Sequence, residues 1–73
     1  MIEANARVGF VGAGKVGTAL GELFRSCGIA VSGYSSLSPE DAHTSAEKTA
    51  SVAYANAAEV VEASAVIFFT VPD

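Results

Sequence analysis

The chain has 73 residues, half of them hydrophobic, one cysteine and a formal net charge of −4, a composition that suits one folded unit and rules out a disordered chain. Its four basic residues, Arg7, Lys15, Arg25 and Lys48, do not cluster in sequence, so a nucleic-acid surface is not expected. With Cys27 alone there is no internal disulfide, which suits a reducing, cytoplasmic setting.

The first predicted element is a strand over Arg7–Val11, followed at once by Gly12-Ala13-Gly14-Lys15-Val16-Gly17. From Val16 the apolar residues change to helical spacing at Val16, Leu20, Leu23, Phe24 and Cys27. Gly28 is placed to stop that helix as its C′ residue. A second strand is predicted over Ile29–Tyr34. The helix-length connection makes the two strands parallel and the crossover right-handed.

Ser38 reads as an N-cap, with Pro39 at the first helical position and Asp41 at N3. The helix they open should run to about Glu47 or Thr49, and its weak apolar stripe predicts a loosely docked, largely exposed element. A short third strand is expected over Ser51–Tyr54. Asn56 with Glu59 at N3 opens a short helix over Ala57–Ala63. The run Ala65–Val71 is apolar on both faces, as in a strand buried in a parallel sheet.

This order predicts an α/β fold, a partial Rossmann fold with a four-stranded parallel sheet of order 3-2-1-4 and flanking helices. The chain 1–73 is read as one partial dinucleotide-binding domain, because a full six-stranded version occupies more than twice this length. The last strand would lie at an open edge, so 65–71 is a candidate surface for homo-oligomer formation, and the ending at Asp73 reads as truncation. Met1–Ala6 lacks the features of a signal peptide. The stretch 57–71 carries Glu59 and Glu62, so no membrane segment is expected.

A GxGxxG is a weak signal alone; a strand before it, a helix after it and a second strand at the right distance make it specific. Gly12 would allow the strand-to-helix turn, Gly14 would let a pyrophosphate approach the backbone, and Gly17 would let the helix pack on the sheet. The amides of residues 14–17 would face the ligand from a helix N-terminus. The bland alternative is a Rossmann-like fold without a ligand.

NAD sites place an acidic residue about 20 positions beyond the glycines, but residues 32–37 are Ser, Gly, Tyr, Ser, Ser and Leu. Ser35 and Ser36 can donate hydrogen bonds to a 2′-phosphate, so NADP is preferred over NAD, and FAD is disfavoured. No arginine stands beside the serines; Lys15 or Lys48 would have to supply the charge, and Lys15 reads first as a solvated lysine. Tyr34 either stacks near the adenine or closes the end of the second strand. His43 reads as surface, Cys27 as core, and Glu59 and Glu62 as cap and solvated face. Asp73 has no partner that would make it catalytic, and no spacing suggests a metal.

The pattern from Val8 to Gly17, the Gly33-Tyr34-Ser35-Ser36 turn and the terminal Phe69-Thr70-Val71-Pro72-Asp73 together resemble the N-terminal Rossmann-like domain of NADP-dependent oxidoreductases. That group is related to pyrroline-5-carboxylate reductase and the 6-phosphogluconate and β-hydroxyacid dehydrogenases. The resemblance implies that Thr70, Val71 and Pro72 border the nicotinamide ribose and that a helical C-terminal domain, absent here, completes the substrate site. The expected cofactor set is therefore Gly12, Ala13, Gly14, Lys15, Val16, Gly17, Tyr34, Ser35, Ser36, Thr70, Val71 and Pro72, with no catalytic residue assigned. The expected function is the dinucleotide-binding portion of an oxidoreductase that moves hydride to or from a small-molecule substrate, inactive as a fragment. The alternative is a non-enzymatic nucleotide-sensing or structural Rossmann module.

Overall fold

The computed structural model describes residues 6–70. Strands and helices alternate along it: β1 Arg7–Val11, α1 Lys15–Ser26, β2 Ala30–Ser35, α2 Pro39–Thr49, β3 Val52–Ala53, α3 Ala57–Ala63 and β4 Val66–Phe69. The strands pair in parallel in the order β3-β2-β1-β4. This is the expected α/β order 3-2-1-4, with the switch point between β1 and β4. Helices α1 and α2 pack together on one face. Helix α3 covers β1 and β2 from the other, where Gly9 lies against Val60 and Ser64.

The core is built on Phe10 of β1, which is fully buried. Its ring stacks on Tyr34 of β2 with centroids 4.7 Å apart and planes 10° from parallel. Phe68 of β4 lies 5.7 Å away on the other side and Phe24 of α1 lies 6.3 Å away. Such pairs add to the transfer free energy of the rings. Tyr34 has no exposed surface, and its hydroxyl donates to the Gly17 carbonyl at 2.8 Å. The sequence left Tyr34 open between adenine stacking and closing a strand. The structure corrects the first reading: the ring is a core element, with both faces enclosed by protein.

Helix α1 presents Gly17, Leu20, Gly21 and Phe24 to the sheet, spaced i, i+3, i+4, i+7 as a buried helical face requires. The expected stripe included Val16, Leu23 and Cys27, and all three are exposed. Cys27 is therefore not a core residue. It follows the last residue of α1 on the solvent side, where Gly28 takes φ 82°. Gly28 N–H donates to Arg25 O and Ile29 N–H to Phe24 O, the Schellman pattern.

Helix α2 also departs from expectation. Ala42, Ser45, Ala46 and Thr49 are buried, and Thr18 Oγ1 meets Ser45 Oγ at 2.6 Å across the α1–α2 contact. Small side chains leave a faint apolar stripe yet let the backbones come close, so the helix docks tightly. It starts as expected, with Ser38 Oγ accepting from Asp41 N. It ends on Ala50, a non-glycine residue in the left-handed region at φ 52°.

Strand β2 runs one residue later than expected, and its register with β1 shifts between Val8 and Gly9, skipping Ser32. The Ser32 hydroxyl donates to Val8 O at 3.2 Å and also contacts Ser64 Oγ. Helix α3 follows its predicted cap: Asn56 Oδ1 accepts from Glu59 N and Glu59 Oε1 accepts from Ala55 N. Strand β4 is half-buried rather than enclosed, and Phe69 is 72% exposed at the edge.

Two predictions follow from this packing. Burial pushes the Tyr34 hydroxyl up to about 12 from 10.0, so the folded state holds its proton more tightly than the unfolded chain. Its contribution is complete below pH 10 and is lost as pH rises towards 12, a loss on the order of 2 kcal/mol. Urea unfolding of wild type should show that step, and Tyr34→Phe should lack it while costing about 1 kcal/mol near neutral pH. Ala50→Gly should raise the unfolding free energy by up to about 1 kcal/mol, because glycine relieves the left-handed strain.

Candidate functional site

Where β1 ends, three strand ends are tied through one residue. Gly12 takes φ 107°, a conformation that L side chains rarely adopt. Its N–H donates to Ser35 O at 2.7 Å, and its carbonyl accepts from Thr70 Oγ1 at 3.2 Å. Thr70 N–H donates to Val11 O at 2.9 Å. The β1–β2 and β1–β4 ladders therefore both extend to the glycine loop.

Gly14 is the N-cap of α1, with extended backbone at φ 169° and no side-chain cap on the helix. Thr18 N–H makes the first helical bond, to Gly14 O at 2.9 Å. The amides of Lys15, Val16 and Gly17 precede that bond and have no intrahelical acceptor. No acidic residue lies in the first turn of α1. In contrast, α2 and α3 each have a side-chain cap and a first-turn acid.

The glycines of the loop differ in what they serve. A Cβ on Gly17 would lie 2.7 Å from Thr70 Oγ1, so this glycine is needed for packing. A Cβ on Gly14 would meet nothing within 4 Å. Neither the conformation nor the packing of the protein calls for glycine at position 14.

Beside this loop, beyond the carboxyl ends of β1, β2 and β3, lies an open crevice of about 670 Å³. Val11, Gly12 and Ala13 form one wall, residues 35–38 with Asp41 a second, and Ala55, Asn56 and Ala57 a third. Ser35 is buried and Ser36 half-buried. Ser36 Oγ accepts from Ser38 N at 3.2 Å, which leaves its O–H free to donate elsewhere. Ser38 N–H thus goes to Ser36 rather than to Asp41, and the capping box is one-sided.

Asp41 lies outside the window of residues 32–37 in which a ribose-binding carboxylate is expected, but the first turn of α2 brings this N3 residue back to the crevice. The i+3 spacing from the Ser38 cap was the available signal. Lys15 and Lys48 line a separate cleft of about 350 Å³ between α1 and α2, together with Glu22 and Asp41. They do not line the serine crevice. Val16 is 66% exposed beside the loop, and His43 is exposed on α2. Val71, Pro72 and Asp73 lie outside the described residues. Among the described residues no group of His, Cys, Asp and Glu is arranged to hold a metal, and no helix is long and apolar enough to cross a membrane.

No curated protein and no solved structure matches the chain significantly. Residues 7–73 match the family described as NADP oxidoreductase, coenzyme F420-dependent. That span runs from the first residue of β1 through the glycine loop and the end of β4. On the strength of this match, and in agreement with the 3-2-1-4 sheet and the loop at its switch point, the chain belongs to that NADP oxidoreductase family.

Proposed function

We propose that this chain binds a nicotinamide dinucleotide, NADP in preference to NAD, as the cofactor-holding part of an oxidoreductase acting on a small-molecule substrate. The observation that carries the proposal is Gly14, a glycine that neither space nor backbone conformation requires, at the one helix start without a side-chain cap among the described residues. An absent Cβ there leaves room for a ligand against the backbone. That position suits a pyrophosphate, which the amides of residues 15–17 and the positive end of the α1 dipole favour.

Each residue group has its part in this reading. Gly12 and Ala13 shape the loop, and Gly14, Lys15, Val16 and Gly17 offer amides to the pyrophosphate. Ser35 and Ser36 stand at the end of β2, where the adenosine ribose would lie, and donate hydrogen bonds to its 2′-phosphate. Thr70, with Val71 and Pro72 beyond it, borders the nicotinamide ribose at the switch point. The nicotinamide supplies hydride transfer, and the protein binds and orients it. Asp41 opposes a 2′-phosphate by charge. Preference for NADP then rests on serine hydrogen bonds rather than on an ion pair, so it should be modest.

Titration with NADPH and NADH, followed by nicotinamide fluorescence, tests this directly. NADPH should bind more tightly, by a factor of a few. Negligible response to both would overturn dinucleotide binding, and tighter NADH binding would overturn the role given to the serines. Gly14→Val should weaken NADPH binding at least about 10-fold, the equivalent of ~1.4 kcal/mol, while the thermal midpoint stays within a few degrees. Undiminished affinity in a folded Gly14→Val protein would remove the loop from the site.

A further inference from the structure

We propose that Thr70 is a positioning residue, whose hydroxyl holds the Gly12 carbonyl and thereby sets the direction in which the glycine-loop amides point. The consequence for ligand binding rests on the dinucleotide reading above; the positioning itself rests on contacts within the protein.

Gly12 has no Cβ to fix its backbone and can take either sign of φ. Its φ of 107° must therefore be held by hydrogen bonds. The N–H side is anchored on Ser35 O at 2.7 Å. The carbonyl side, which orients the Gly12–Ala13 peptide, is anchored by Thr70 Oγ1 at 3.2 Å. Thr70 is itself fixed, since its N–H continues the β1–β4 ladder to Val11 O at 2.9 Å.

Gly17 completes the arrangement. A Cβ there would come within 2.7 Å of Thr70 Oγ1 and 3.6 Å of Gly12 O. The first and third glycines of the motif therefore face the same hydroxyl, and the third is small so that the hydroxyl can sit between α1 and the loop. The proton of Thr70 is directed at protein rather than at a ligand, so it acts through Gly12. Removing it frees the Gly12–Ala13 peptide to rotate, and Gly14 and the α1 amides lose their common direction.

Thr70→Val keeps the shape and removes the hydroxyl; Thr70→Ser keeps the hydroxyl. Thr70→Val should weaken NADPH binding about 5-fold, the usual scale for one lost hydrogen bond, and Thr70→Ser should stay within about 2-fold of wild type. Without any nucleotide, amide exchange should quicken in Thr70→Val at Gly12 and Thr18 and remain unchanged in the β1–β2 pairing over Arg7–Val11 that precedes the loop. Unchanged exchange at those two amides, equal effects of Val and Ser, or acceleration spread evenly over the sheet would each overturn the proposal. If wild type binds no dinucleotide while the local exchange difference holds, the dinucleotide reading fails and the positioning role stands.

Discussion

The closeness of α1 to the sheet is the constraint on which the other features depend. Along this helix Gly17 and Gly21 are buried, and a Cβ on Gly21 would come within 2.9 Å of Thr49 Cγ2 while also colliding with the Tyr34 hydroxyl. The missing side chains bring the helix down until Tyr34 can donate to the Gly17 carbonyl. That bond satisfies a buried hydroxyl that would otherwise cost about 1–3 kcal/mol. With α1 at this height, Leu20 and Phe24 reach the Phe10 cluster. A helix with larger residues on this face would stand higher, and Gly14 and Lys15, which line the cleft between α1 and α2, would move with it.

Electrostatics then distinguishes that helix start from the others. Chain charge is −4 overall, and acids occupy the first turns of the other two helices: Glu40 and Asp41 on α2, Glu59 on α3. Each acid offsets the partial positive charge of its helix end, which amounts to roughly half an elementary charge. The α1 start has no acid and no capping side chain. Its uncompensated donors lie at the switch point, where the sheet geometry directs ligands in folds of this kind.

Much of this was legible in the sequence because local rules decided it. Caps at Ser38 and Asn56, the stop at Gly28 and the strand order all follow from short-range chemistry and the handedness of parallel crossovers. The departures in α1 and α2 have one physical origin. Reading α1 by its large apolar residues put Val16, Leu23 and Cys27 inward, whereas the buried face is set by glycines, which carry no hydropathy signal. The same bias made α2 look loose, although Ala42, Ser45, Ala46 and Thr49 seat it closely. Tyr34 was ambiguous for a related reason: only the gap left by Gly21, a residue distant in sequence, shows that the ring has a place in the core. Asp41 was missed because a linear window does not follow the helical turn that returns it to the crevice.

Glycines that look equivalent in the motif are separated by what each position demands. Gly12 answers to backbone conformation at φ 107°, and Gly17 to the Thr70 side chain packed against it. Both would be retained by a protein that kept this fold and bound nothing. Gly14 answers to neither demand, since its backbone is extended and open space lies where its Cβ would be. Serine or aspartate would fit this N-cap position and would also cap the helix, which glycine does not. Gly14 instead leaves both that space and the α1 amides open to a ligand. The argument for a ligand thus comes from the one glycine the fold could lose, rather than from the presence of the motif.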